Sequence, residues 1–338
     1  MVHGGRIKLN VLLIDADNTG FPNLALMQLS TYLKKQDHNV YFGSMSGKPD
    51  RVYISCVFTK NKDKALSVGT YYPEAEKIYG GTGVDQNNQV SYFSHEYPDY
   101  SLYPSCDFSL GFMTRGCIRE CPWCVVPDKE GYIREHSPLH EFLNPDFDKI
   151  MLLDNNLLAC KKHPQMLEDL IEVGKKVCFT QANDIRLITK ENAELLYQTK
   201  SYDTSFKNKR YYFAWDAPNI EKQVIKGIEI LISTGFRADH LQFYVLTAFD
   251  TDYKQDIYRV QTLLDYGCKP YVMIYNNKKG TYHRHLKRWV ERRYCEVVPW
   301  IKYDHGKSQK WIHLMEGIEP NNGHTIESVL KGRVLKDE

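Results

Sequence analysis

Three cysteines fall within one short stretch, Gly116-Cys117-Ile118-Arg119-Glu120-Cys121-Pro122-Trp123-Cys124. Thiolates spaced C-x3-C-x2-C can hold three irons of a [4Fe–4S] cube and leave the fourth iron without a protein ligand. Such an open corner can bind a small molecule and pass it an electron. Zinc is the alternative for the same thiols, with a fourth ligand from His95, His136, His140 or Cys106. Structural zinc sites draw C-x2-C knuckles from two separate segments, and only Cys121 and Cys124 form such a pair. The other six cysteines (Cys56, Cys106, Cys160, Cys178, Cys268 and Cys295) are scattered, as small core residues are.

The loop needs a scaffold, and the hydrophobic pattern supplies one. From Asp107 onward, strand patterns at 107–113, 149–154, 176–181, 211–215, 241–247 and 270–275 alternate with helical ones at 164–174, 190–198, 219–234 and 253–266. Strands returned by helices imply a parallel sheet, closed or open, with function in the loops after the strands' carboxyl ends. The cysteine loop follows the first of these strands. Ahead of it, residues 1–100 read as a smaller α/β unit: a strand at 8–14, a helix at 22–36, and strands at 40–42, 51–57 and near 77–79 before Gly80-Gly81-Thr82-Gly83. Residues 84–105, polar and tyrosine-rich with Pro98 and Pro104, read as a linker.

At 338 residues, 42% hydrophobic and 25% charged, the chain has the composition of one large domain or two ordinary ones. Net charge is +2, which excludes a strongly polyanion-binding body but not a local basic patch. An odd number of cysteines, nine, argues against a disulfide framework. No apolar run approaches the ~18 residues that span a bilayer. No leader-like apolar stretch opens the chain, so a soluble, cytoplasmic protein is expected.

The cysteine spacing, with Trp123 just before the last cysteine, resembles the signature of the radical S-adenosyl-L-methionine (SAM) superfamily. That resemblance implies a partial (β/α)6 barrel over 101–277 and a [4Fe–4S] cluster on Cys117, Cys121 and Cys124. It also implies SAM chelated at the open iron, a low-potential electron donor of flavodoxin or ferredoxin type, and reductive cleavage of SAM to a 5′-deoxyadenosyl radical. The radical takes a hydrogen atom from an unidentified substrate. Cofactor contacts carried over from it fall on Trp123, on Asp154 and Asn155 after the second strand, and on Gln181, Asn183 and Arg186 after the third. Trp215 and Asp216 after the fourth complete the set. Arg186 has the charge to neutralise a carboxylate, though a surface arginine at a helix start reads the same way. The segments Phe21–Met27, Thr114–Cys117, Leu153–Ala159, Phe213–Asp216 and Pro270–Tyr275 resemble a bacterial and phage-associated group within that superfamily.

The first unit is similar to the Rossmann-like cobalamin-binding domains that precede many such barrels, through Asp15-x-Asp17-x-x-Gly20, Ser55-Cys56-Val57 and Gly80-Gly81. Asp17 stands where those domains carry the cobalt-ligating histidine, and a carboxylate is a poorer cobalt ligand than imidazole. Retained cobalamin, with SAM as methyl donor, is one alternative; a non-catalytic iron–sulfur or nucleotide-binding protein is another. The segment 278–338 is expected to be a basic helical extension. Its charges concentrate in 278–293 around Tyr282, Trp289 and Tyr294, which suits either nucleic-acid phosphate or a solvated helix face.

Overall fold

A computed structural model gives the fold of residues 7–85, 92–277 and 281–303. It is a mixed α/β chain with parallel sheets. Among the described residues no helix is long and apolar enough to cross a membrane. The chain divides into two compact units: residues up to Gly111 with Ser137–Asp148, and Phe112–His136 with the chain from Lys149 onward.

In the first unit, β1 (Asn10–Asp15) leads to α1 (Leu24–Lys35), β2 (Asn39–Phe42), β3 (Arg51–Ser55), α2 (Lys62–Thr70) and β4 (Glu76–Gly80). The strands form one parallel sheet in the order β2-β1-β3-β4. β1 is apolar at every position from Val11 to Ile14 because both faces are covered. Val11 and Leu13 pack with Leu26, Leu29 and Leu33 of α1, while Leu12 and Ile14 pack with Val52, Ile54 and Ala65 of α2. The side chain of Asn23 caps α1 at the Leu26 N–H.

Two features depart from the expectation. α2 was not anticipated between the strands, because its buried face holds only Ala65 and Gly69, too small to register as a hydrophobic stripe. A Cβ on Gly69 would lie 1.9 Å from Tyr79 Oη, so any side chain there must displace the tyrosine. The tyrosine-rich stretch read as a linker instead lies along α1. Phe93 is buried in the α1 core, Gln28 Nε2 donates to Ser94 O at 2.7 Å, and Asp99 accepts from Ser30 Oγ at 2.6 Å and Lys34 Nζ at 2.5 Å. The unit also contains the short β5 (Ser109–Gly111).

The second unit begins with β6 (Thr114–Arg115), runs through the cysteine loop and α3 (Val126–Glu130), and returns as β7 (Arg134–Glu135), antiparallel to β6. Then come β8 (Lys149–Leu152), α4 (His163–Val173), β9 (Lys176–Phe179), α5 (Lys190–Gln198), β10 (Tyr211–Ala214), α6 (Glu221–Ser233), β11 (Leu241–Thr247), α7 (Tyr253–Asp265), β12 (Lys269–Ile274) and α8 (Thr281–Glu291). β8 pairs with β9 and β10-β11-β12 form a second sheet, all in parallel register. An isolated parallel bridge between Asn183 and Phe213 links the chain after β9 to β10. The expected helices at 164–174, 190–198, 219–234 and 253–266 form within two residues of those limits. The buried faces of α6 and α7, with Val224, Ile228, Leu231, Ile257, Val260 and Leu263, belong to the core with Phe213, Phe243 and Val245. Of the expected basic extension, 278–280 and 304–338 lie outside the described residues.

Candidate functional site

Gly116 opens the cysteine loop at φ +83°, and a Cβ there would stand 2.4 Å from Tyr132 O and 2.5 Å from Gly131 O. Only glycine permits this approach. The tight passage lets Cys117 N donate to Gly131 O at 3.2 Å, so the β6–β7 hairpin clasps the loop at its base. Arg115 reinforces the clasp from 3.5 Å above the Phe112 ring and 3.2 Å from Glu130 Oε1. A further backbone bond, Cys124 N to Cys121 O at 2.9 Å, turns the loop between the second and third cysteines.

All three thiols are partly accessible. Arg119 N and Val126 N donate to Cys117 Sγ and Cys124 Sγ at 3.4 Å each, and Asn156 Nδ2 donates to Cys117 Sγ at 3.5 Å. Burial pushes the Cys121 thiol above its usual range, and the neighbouring Cys124 adds to that; Arg186 opposes it. Cys124 is raised in the same way, by burial first, with the Val126 N–H working against it and Cys117 and Asp216 adding to it. Burial and like charge both disfavour the thiolate forms of Cys121 and Cys124, and a bound cationic centre would favour them.

Among the described residues no three His, Cys, Asp or Glu side chains close around a single ion position. A lone tetrahedral zinc needs sulfurs about 2.3 Å from one point, whereas a cube takes each thiolate on a different iron. Three thiols with N–H donors on two of their sulfurs are the donor type that an iron–sulfur cluster takes. Of the zinc alternatives, His95 Nδ1 lies 2.8 Å from Glu141 Oε2, and the Cys106 thiol donates to Phe108 O at 3.2 Å.

The remaining expected residues divide into two sets. Arg186 and Asp216 lie near the thiols, each acting electrostatically on Cys121. Burial raises the Asp216 carboxyl to about 6 against the pull of Arg259, the Leu246 N–H and Arg186. Trp123 is half-buried, its ring edge-on to Phe249 at 5.3 Å, and Phe249 in turn meets Tyr275 at 4.8 Å. Asn155 Nδ2 is buried and has no hydrogen-bond partner among the described residues. A donor in that state is costly, and an acceptor on a bound ligand would satisfy it.

The other set has structural work. Asp154 is buried and accepts from Thr114 N at 2.5 Å, Thr114 Oγ1 at 2.6 Å and Met113 N at 3.2 Å, fixing the strand that leads into the loop. Trp215 is fully buried, with Nε1 donating to Ala217 O at 3.0 Å. Asn183 is buried at the bridge to β10 and Gln181 is exposed.

Three participants were missed. Asp184 accepts from Arg119 Nε at 2.8 Å and from Arg186 Nε at 2.6 Å, tying the loop's own arginine to the one after β9. Burial alone would raise the Asp184 carboxyl, but the bonds from Arg186 and Arg119 outweigh it and hold it below the usual range. Asn156 joins this network as the acceptor from Asp184 N at 3.3 Å, and Phe249 supplies the aromatic contact for Trp123. The sequence signals were slight: an Asp two residues before an Arg at a strand end, and an Arg between two cysteines.

In the first unit, Asp17 has both carboxylate oxygens engaged. Oδ2 accepts from Val57 N at 2.5 Å, and Oδ1 from Asn61 Nδ2 at 2.7 Å and Phe58 N at 3.3 Å. Gly81 passes the Cys56 carbonyl so closely that a Cβ would lie 2.3 Å from it. Compared with known proteins, the chain matches no family model and no curated protein.

Proposed function

We propose that this chain is a radical SAM enzyme, with its second unit a partial (β/α)6 barrel and its first a Rossmann-like unit of cobalamin-binding type. One observation supports the reading: a single glycine-gated loop after a strand carries Cys117, Cys121 and Cys124, with N–H donors on two of their sulfurs. Those three thiolates would hold a [4Fe–4S] cluster, which supplies an electron to SAM and so a hydrogen-abstracting radical.

The protein's own part is placement. Asp154 anchors the backbone at Met113 and Thr114, and the hairpin from β6 to β7 fixes the loop's two ends. The Arg119–Asp184–Arg186 chain holds a guanidinium beside Cys121, where it can pair with a ligand carboxylate. Asn155 Nδ2 is a free donor for an acceptor on the same ligand. The Trp123–Phe249–Tyr275 aromatics form an apolar contact beside the loop that limits water. Asp17 would not ligate cobalt, because its carboxylate is committed to Val57 N, Phe58 N and Asn61 Nδ2.

Anaerobic reconstitution tests the reading. About four irons per chain, a reduced-cluster EPR signal perturbed by added SAM, and 5′-deoxyadenosine formed under dithionite are expected, all lost in Cys121→Ala. Zinc bound in place of iron, with no 5′-deoxyadenosine, would overturn it.

A further inference from the structure

α8 presents two opposite faces. Tyr282, Leu286, Trp289 and Val290 are buried, with Trp289 packed edge-on to Trp300 at 5.3 Å and its Nε1 donating to Val298 O at 2.8 Å. Arg284, Arg288 and Arg292 are exposed on the other side, and Arg292 N donates to Arg288 O at 3.0 Å, so the row continues past the helix end. Residues four apart lie one above another on a helix, ~6 Å apart along its axis. Lys287 is paired with Glu291 at 3.2 Å and Arg293 with Glu296 at 2.8 Å. Among the described residues the three arginines of the row make no ion pair.

The row borders a shallow groove of about 460 Å³ lined by Arg284, Lys287, Arg288, Glu291, Arg292 and Tyr294. Tyr294 is 36% exposed, with its ring 5.9 Å from the Arg288 guanidinium and 5.6 Å from Tyr303. On a chain with a net charge of only +2, this is a concentrated line of cations that no acidic side chain among the described residues pairs with.

We infer that this groove binds the phosphate backbone of a single-stranded nucleic acid, with one unpaired base stacked on Tyr294. A linear row of guanidiniums suits a linear polyanion better than a compact one. A membrane surface is the poorer match, since a helix lying in a bilayer interface needs an outward apolar face and that of α8 is in the core. Burial of Tyr282 and Trp289 removes two of the three interleaved aromatics from any stacking role. Recognition therefore rests on phosphate and is nearly independent of sequence.

Fluorescence anisotropy of the full chain, without cluster or SAM, tests this with a labelled single-stranded RNA, the same sequence in DNA, and its duplex. Both single strands should bind, the duplex more weakly. Log affinity should fall with log salt at a slope of about −2, from three phosphate contacts at ~0.7 each. R284E/R288E/R292E should weaken binding at least tenfold and flatten the slope at unchanged melting temperature. R284K/R288K/R292K should keep most of the affinity, and Tyr294→Ala should cost several-fold. Absent binding, binding unmoved by the charge reversal, or equal affinity for the duplex would overturn the inference. Preference for anionic vesicles or polyglutamate over RNA would do the same. None of these outcomes depends on the cluster, so failure here leaves the radical SAM reading to its own test.

Discussion

Asn156 holds two elements together: its Nδ2 donates to Cys117 Sγ and its Oδ1 accepts from Asp184 N. An N–H bond to a cluster thiolate favours the reduced, more negative state, and so raises the reduction potential. In reconstituted Asn156→Ala, voltammetry should show a potential lower by on the order of tens of millivolts, with iron content retained. An unchanged potential would remove Asn156 from the site. Asp154 gives a pH dependence. Burial raises its carboxyl from 3.8 to about 6, against the bonds from Thr114 and Met113, so the folded state holds its proton more tightly than the unfolded chain. Its contribution to stability is full below pH 3.8 and is lost as pH rises through about 6. Urea midpoints of the native chain, referenced to Asp154→Asn at each pH, should fall between pH 4 and 6 and then level off. A rise over that interval would refute the assignment.

At the scale of elements, the strand–helix alternation was legible because each amphipathic helix shows a full stripe, as Val224, Ile228 and Leu231 do in α6. α2 was not legible, because close packing there is made by Ala65 and Gly69. The β6–β7 clasp was hidden too, since two-residue strands carry no periodicity. Arg259 shows a third kind of gap. Helical spacing places it on α7, yet it is buried, with Nη1 donating to Trp215 O and Nη2 to Leu246 O at 2.7 Å each and Asp256 beside it. It pins the carboxyl ends of β10 and β11, next to Asp216. Arg259→Met takes the guanidinium from two carbonyls and leaves the Asp256 carboxylate only Thr251 Oγ1 at 2.6 Å and His283 at 3.7 Å, and should lower stability by about 3 kcal/mol in urea unfolding. A loss below ~1 kcal/mol would mean that the strand ends do not depend on it.

For the molecule as a whole, the cysteine spacing disclosed a candidate chemistry, while the residues that position it are polar groups brought together from separate strand ends. Asp184, Arg119 and Asn156 meet only once β8 and β9 are folded, so no local pattern marks them. Each unit also has its own buried core: Leu12, Val52 and Ile54 in the first, Phe213, Phe243 and Val245 in the second. A truncation within one compact unit is expected to act first on that unit's own strands. Leu12→Ala removes a fully buried side chain between β1 and α2 and should cost about 3 kcal/mol. Amide exchange should then quicken in Asn10–Asp15, Arg51–Ser55 and Glu76–Gly80, while protection in Tyr211–Ala214 and Leu241–Thr247 holds. Equal loss of protection in both sets would show that the two units unfold as one.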